Sequence, residues 1–520
     1  MKLYLLLFSV IIAIHSITGS RILCFLISPS RSHAILSVPI CEKLAANGHQ
    51  VLAVTNYKFF EETPNLKNVI IPAQDFNPEL KALMASGSNT FSFKFMKLAS
   101  RHFRNVTKNT ILAPEFQKIM ENDSFDFLIM LNLMVNNAQI GLADHFKAPY
   151  AIFTPMPNAL PIREMVGAPS LPATVSHVFL GYASTMTFIQ RIKNFGANLF
   201  EYLMTYTVDY FSRQDYELLF PSNKYRSFDE MKKNVSLVLL NTHFSDTGII
   251  RPLLPNEIEV GGIQINGNPP PLTGPLKKFL DESKDGAILW TFGSNVEIST
   301  TQPEKIDIML KVLSKLKERI VLKWEIDDMS RLPANVFAQK WLPQNSILAH
   351  PNVKLFIAHG GAGGVGEAKF FGIPILGIPF FADQESNVKK LENEGIGRGL
   401  MLSSLTEETF SETLNDMLTN QKYRDNIKKF SDKYKDRIAS ALDTAVFWVE
   451  YALKHHGAPH LNYPGKDLNF FQRHSLDVIG LLAAFLWVLY KIIRISISLC
   501  CKKRGKGQEK PKTKQKKKFH

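Results

Sequence analysis

Val353-Lys-Leu-Phe-Ile-Ala358 runs directly into His359-Gly360-Gly361-Ala362-Gly363-Gly364, and Val365–Phe371 follows. The first six residues have the apolar, β-branched character of a buried strand. Four glycines within the next six residues cannot continue it, and the alanine- and glutamate-bearing segment beyond them favours helix. The order is therefore strand, glycine-rich loop, helix. Glycines let backbone N–H groups approach an anion closely, and the helix start adds positive potential. This stretch predicts a phosphate site at the carboxyl end of a parallel strand.

The surrounding chain repeats the same alternation. Ala287–Thr291, Ile320–Trp324, Ala338–Trp341 and Pro374–Pro379 read as strands, with helices at Pro303–Lys317, Asn345–Ala349 and from Glu385 to His456. Upstream, Asn266-Gly-Asn-Pro-Pro-Pro-Leu-Thr-Gly-Pro275 is a stiff linker. Before it lies a second α/β series: strand Arg21–Ile27, loop Ser28–Ser32, helix Ala34–Asn47, strand Gln50–Thr55, then strands at Val69–Ile71, Phe127–Met130, Tyr150–Phe153 and Leu237–Asn241. Met156–Tyr225 is rich in Phe, Tyr, Met and Leu without strand spacing, and reads equally as the lining of an apolar pocket or as plain core. Two α/β halves joined by a linker leave a cleft, and ligands of such sheets bind at the carboxyl ends of the strands.

The chain ends carry a different message. The net charge is +14, but twelve bases and one acid between Lys491 and His520 account for +11 of it. The remaining 490 residues are nearly neutral, which argues against a nucleic-acid-binding body. Lys2, the apolar run Leu3–Ile14 and the small residues to Ser20 have the form of a signal peptide. The apolar run Val478–Tyr490, with Leu476 before it, Ile492–Ile493 after it and a basic tail beyond, has the form of a membrane span whose tail stays cytosolic. Sequons at Asn105, Asn122 and Asn234 agree with a lumenal body. Cys24 and Cys41 could pair there or remain two buried thiols, and Cys500 and Cys501 sit where acylation can occur. No Cys/His cluster and no Asp-x-Asp occurs, so no metal is expected.

Gly361-Ala-Gly363-Gly-Val-Gly366 also satisfies GxGxxG, with Asp383 at 22 residues beyond Gly361 where a dinucleotide fold keeps its ribose acid. A lumenal NAD(P)-dependent oxidoreductase is thus a competing reading. Against it, the motif is not in a first βα unit, no tyrosine has lysine four positions on, and Trp341 and Gln344 have no role.

The set Trp341-Leu-Pro-Gln344, His359-Gly-Gly, Glu367, Gly372-Ile-Pro374, Asp383-Gln384-x2-Asn387 resembles the signature of UDP-glycosyltransferases. His359 follows Trp341 by 18, Glu367 follows His359 by 8, and Asp383 follows Glu367 by 16. The resemblance extends over nearly the whole chain and is nearest to the membrane-bound animal type, its arthropod branch in particular. It implies an α/β fold of the GT-B kind: two Rossmann-like domains facing a cleft, plus one C-terminal transmembrane helix. The expected division is signal peptide 1–20, acceptor-binding domain 21–262, linker 263–275, UDP-sugar-binding domain 276–473 with returning helices, span 474–499 and cytosolic tail 500–520.

The resemblance also implies roles. Trp341 would stack on uracil, Gln344 and Glu367 would hold the ribose, and Ser294, His359, Gly360, Gly361, Gly363 and Gly364 would hold the diphosphate. Asp383 and Gln384 would bind sugar hydroxyls. His33, after the first strand, would be the general base, since a neutral imidazole suits proton removal near pH 7. The family's acidic partner for this histidine falls on Leu131, or on Asn132 after one insertion. Asn132 could orient His33 without offsetting its charge. The expected reaction is inverting hexose transfer, with glucose favoured, from a UDP-sugar to a small lipophilic acceptor in detoxification or conjugation. A catalytically weak UDP-sugar or lipophile binder is the alternative. No cofactor beyond the UDP-sugar co-substrate is expected. Lys517 and Lys518 resemble an endoplasmic-reticulum retention signal, giving a single-pass type I protein with lumenal domains. Homo- or hetero-oligomers are left open.

Overall fold

The computed structural model describes residues 19–76, 78–85, 93–133, 135–155, 159–183, 185–245, 250–299 and 301–505. Most of the signal-peptide segment and the terminal lysines lie outside these residues.

The first half is a seven-stranded parallel sheet. Its strands are β1 (Arg21–Leu26), β2 (Gln50–Thr55), β3 (Leu66–Ile70), β4 (Phe127–Leu131), β5 (Tyr150–Thr154), β6 (Leu237–Leu240) and β7 (Glu257–Glu259), in the order 3-2-1-4-5-6-7. The second half has six parallel strands: β8 (Ala287–Thr291), β9 (Arg319–Lys323), β10 (Val336–Gln339), β11 (Val353–Ala358), β12 (Ile375–Gly377) and β13 (Gly397–Gly399), in the order 10-9-8-11-12-13. Strands β1, β4, β5, β8 and β11 are almost wholly buried. That is why they read as unbroken apolar runs instead of alternating ones. Strands β7 and β13 were not legible in the chain. Each has three residues, one being Glu-Ile-Glu and the other Gly-Arg-Gly, and only a neighbouring strand makes them extended.

Both sheets reverse direction of growth at one place. In the first, β1 adjoins β4; in the second, β8 adjoins β11. These two switch points fix where a cleft opens at the strand ends.

Helices position the walls. In chain order they include α1 (Val38–Ala46), α2 (Phe93–Leu112), α3 (Pro114–Asn122), α4 (Phe188–Leu219), α5 (Ala362–Phe371), α6 (Gln384–Asn393), α7 (Ala441–Lys454) and α8 (Leu476–Gly505). The predicted helix Ala34–Asn47 is broken by a 3-10 turn at Ile35–Ser37, just before Pro39, whose missing N–H is harmless only in the first turn of α1. Helix α4 resolves the ambiguous aromatic region. It starts with a Thr187/Gln190 capping box, and turns Asn194, Thr205, Val208, Ser212 and Asp215 inward. Asp215 is paired with Arg104 and Lys108 of α2 at 2.7 and 3.1 Å. The opposite side, with Phe188, Ile192, Phe195, Leu203 and Tyr206, is exposed.

Residues 441–458, placed with the second half on sequence, pack elsewhere. Ala445, Val446, Val449 and Ala452 of α7 are buried in the core of the first sheet with Ile40, Cys41 and Leu44 of α1. The returning chain thus ties the two halves together. Cys24 and Cys41 are both buried free thiols. Asn122 and Asn234 are exposed, whereas Asn105 lies inside α2 with Thr107 of the same sequon buried.

From Pro464 the chain forms a separate unit. In it, Leu476–Leu499 of α8 is a 24-residue apolar segment of mean hydropathy 2.1, with none of it buried, long enough to cross a bilayer.

On the opposite face of the first sheet, the Phe116 ring of α3 is fully buried and lies 5.2 Å from the Phe25 ring of β1. Phe116→Ala is expected to destabilise the body by about 3–5 kcal/mol through lost contacts and a cavity. A denaturation midpoint indistinguishable from wild type would contradict this packing.

Candidate functional site

A cavity of about 910 Å³ lies between the carboxyl ends of the two sheets. From the first half it takes Ser30–His33 after β1, Phe103 of α2, and Phe200, Met204 and Val208 of α4. From the second it takes Gly293–Asn295 after β8, Trp341–Gln344, His359, Gly361–Gly364, Glu367 and Ala382–Gln384. Of the residues singled out on sequence, His33, Ser294, Trp341, Gln344, His359, Gly361, Gly363, Gly364, Glu367, Asp383 and Gln384 line this one space. Gly360 and Asn132 do not line it.

The glycine loop has the geometry of an anion cradle. Gly361 caps α5, and the first residues of that ten-residue helix open onto the cavity. A side chain at Gly361 would crowd its neighbour, since a Cβ there would sit 2.3 Å from His359 Nε2, while one at Gly363 would meet Leu36 of the first half at an ordinary 3.6 Å. Gly360 acts behind the cavity wall. Its φ of +81° turns the chain out of β11, and a Cβ would come within 3.0 Å of the Gln384 carbonyl.

Asn387 had a place in the motif but no assigned role. Its Nδ2 donates to Asp383 Oδ2 at 2.7 Å and to the Gly360 carbonyl at 3.0 Å, so it locks the acidic residue to the glycine loop. Gln384 Oε1 accepts from the N–H groups of Phe380 and Phe381 at 2.8 and 3.1 Å. Gln344 Nε2 donates to Glu367 Oε2 at 2.6 Å, joining the two candidate ribose residues. Burial pushes the Glu367 carboxyl from 4.5 up to about 7, against the hydrogen bonds from Gln344 and Gln264. Burial likewise raises Asp383, against its bond from Asn387. Trp341 remains 54% exposed, a large indole face with nothing apolar covering it.

Several polar atoms around this cavity are buried without a hydrogen-bond partner among the described residues: Ser294 Oγ, His359 Nδ1, His33 Nδ1 and Arg31 Nε. Such atoms are rare in folded proteins, and four around one cavity mark a place built for a polar ligand. Burial lowers His33 to about 4, and burial with the nearby Lys323 charge lowers His359 to about 4. Both imidazoles are neutral at pH 7.

Asn132 does not meet His33. Strand β4 ends at Leu131, and the Asn132 N–H continues the ladder to the Phe153 carbonyl at 2.9 Å. This holds its side chain under the following turn, where Nδ2 donates to Asn137 Oδ1 at 2.9 Å. The expected orienting contact is absent, because sheet register rather than chain spacing decides where Asn132 points.

Glu367 gives a pH test. Folding raises its pKa, so between about 4.5 and 7 the folded chain binds the proton more than the unfolded chain does. Its contribution to stability therefore falls as pH rises through that window and stays unfavourable above it. Glu367→Gln in the unliganded protein is expected to melt higher than wild type at pH 8, with the difference gone by pH 4.5. An equal difference at both pH values would refute the burial argument.

Comparison with known proteins agrees with this geometry. Residues 20–511 match the family model described as UDP-glucoronosyl and UDP-glucosyl transferase. The chain is 31% identical to "UDP-glucosyltransferase 2" of Dactylopius coccus, over 96% of each chain. It is 29% identical to "UDP-glucuronosyltransferase 1A8" of Homo sapiens, over 93% of each. A solved glycotransferase of kitacinnamycin superposes with a TM-score of 0.56 at 16% identity, covering 84% of this chain and 99% of its own, a likeness of the two-domain GT-B fold. The dinucleotide reading gives way, since one cleft gathers Trp341, Gln344 and Glu367 with the glycine loop. The chain belongs to the UDP-glucosyl and UDP-glucuronosyl transferase family and is a UDP-glycosyltransferase enzyme.

Proposed function

We propose that this enzyme transfers a hexose, glucose in the first instance, from its UDP-sugar to the hydroxyl of a small lipophilic acceptor, with inversion. The observation that carries the reading is that His33 and the glycine loop border one cavity whose first-half wall is apolar. The acceptor oxygen attacks the anomeric carbon while the bond from that carbon to the UDP oxygen breaks. His33 takes the acceptor proton, and the negative charge left on UDP falls to the N–H groups of Gly361–Gly364 and the start of α5. Trp341 stacks the uracil, Gln344 and Glu367 hold the ribose, and Asp383 and Gln384 hold the sugar hydroxyls. No cofactor besides the UDP-sugar enters this scheme. Names of relatives support both sugars; the arthropod relatives favour glucose.

His33 has neither an orienting partner nor a neighbouring carboxylate to balance its imidazolium, and burial lowers its basicity. The acceptor oxygen must then supply part of the ease of ionisation. Phenols and carboxylic acids, which ionise readily, fit this base better than alkyl alcohols. The apolar segment of α8 and the family together support an endoplasmic-reticulum protein of type I topology, tethered to a membrane in which lipophilic acceptors collect. That setting suits detoxification or conjugation of endogenous lipophiles.

The same partnerless His33 favours one second reading, a UDP-sugar binder with little turnover. Transfer assays with UDP-glucose and UDP-glucuronate against phenols and lipophilic alcohols separate the two. His33→Ala is expected to lose roughly 10²–10⁴-fold in rate while UDP affinity is kept. With donor saturating, kcat/KM for the acceptor should hold its value as pH falls and drop only near pH 4, because His33 must be neutral to accept a proton. Full activity in His33→Ala would overturn the assignment. Saturable UDP binding without transfer by wild type would establish the binder.

A further inference from the structure

The sequence placed the anion site on a glycine loop and a helix start. Two basic side chains also line the folded cleft, Lys323, which is paired with Glu325 at 2.9 Å, and Arg31. Arg31, two residues before His33, lines the cavity, and its guanidinium lies 5.0 Å from the Trp341 ring centre. The other rings around it are Phe59 at 5.1 Å and Tyr57 at 6.0 Å. Among the described residues it makes no ion pair or side-chain hydrogen bond, and its Nε is buried without a partner. A guanidinium has five donors and is always charged, so a position held by aromatic faces alone leaves its hydrogen-bonding capacity unused. By contrast, the buried arginines elsewhere are paired, as Arg251 is with Glu257.

Arg31 is also held in place. Ser28 N–H donates to Asn56 Oδ1 at 2.8 Å, Ser30 N–H to Ser28 Oγ at 3.1 Å, and the Tyr57 hydroxyl to the Pro29 carbonyl. Across the cleft, Asn295 Nδ2 donates to Ser30 Oγ at 2.9 Å. The loop is thus fastened to the segment that carries Ser294 with its partnerless hydroxyl. The cation, the free hydroxyl and the glycine loop surround the same space from two halves of the chain.

We propose that Arg31 is a donor-binding residue of the first half, whose guanidinium pairs with the diphosphate of the UDP-sugar. This rests on the UDP-sugar reading above. The tetrahedral phosphates present pairs of oxygens that the planar guanidinium fork meets bidentately, and desolvation by the three rings strengthens the pair. The first half then senses the donor directly, and bound donor bridges the two halves through Arg31 on one side and the glycine loop on the other. A carboxylate on the donor sugar is the other anion that could reach this cation.

The test uses the full chain in detergent or nanodiscs, with UDP and uridine as titrants followed by calorimetry. In Arg31→Ala, loss of a charged hydrogen-bonding partner is expected to weaken UDP by about 10- to 100-fold. Uridine, which lacks phosphate, should bind as it does to wild type, and Arg31→Lys should fall between. Thermal melts of both variants report folding, and Arg31→Lys decides the matter if Arg31→Ala does not fold. Unchanged UDP affinity overturns the proposal. Equal loss for UDP and uridine also overturns it, since Arg31 would then act only through Trp341. Loss confined to UDP-glucuronate, with UDP and UDP-glucose unaffected, assigns the cation to the sugar carboxylate instead. If wild type binds no UDP, it is the donor reading that fails.

Discussion

Everything at the cleft depends on where two parallel sheets reverse their direction of growth. Beside β1 and β4 in one sheet, and β8 and β11 in the other, the strand order reverses, and in such sheets successive crossovers leave to opposite sides and open a crevice at the strand ends. Backbone N–H groups and side chains at those ends are free to meet a ligand. His33 leaves β1, Ser294 leaves β8 and His359 leaves β11. The chemistry follows from topology before it follows from residue identity.

The division of labour between the halves then has a physical cause. An anion is best met by donors that need no reorganisation, and a glycine loop at a helix start provides them in the second half. In the first half, α2 and α4 instead offer apolar surface to the same cavity, through Phe103, Phe200, Met204 and Val208. Helix α7 crosses back to pack on the first sheet, so the relative placement of the halves is part of the folded core and is not left to the linker alone. The Ser30–Asn295 bond adds a polar tie at the cleft itself.

Several polar groups at the cleft are left unsatisfied, whereas the buried charges of the scaffold are paired. Asp215 with Arg104 and Lys108, or Lys232 with Glu164 and Asp209, are charges whose partners lie within the fold. Around the cleft, Ser294, His33, His359 and Arg31 each keep an atom without one. Burying such groups has a cost, and a ligand that satisfies several of them at once recovers it. The raised pKa of Glu367 also comes from burial: its carboxylate loses water, and the hydrogen bonds from Gln344 and Gln264 do not make up the loss.

The sequence by itself determined the two α/β halves, the apolar C-terminal segment and nearly all of the singled-out second-half residues that line the cleft. Buried parallel strands are continuous apolar runs, and the glycine loop, Trp341 and Glu367 stand at fixed spacing because each belongs to one local strand–loop–helix unit. Only the tertiary structure decided the rest. Asn132 was misplaced because its direction depends on the pairing of β4 with β5. Helix α7 joined the other half because an amphipathic helix does not name the sheet it will cover. Arg31 escaped notice because the Trp341 ring it faces lies hundreds of residues away. Contacts made across a cleft leave no periodic trace in the chain, whereas those made within one βα unit do.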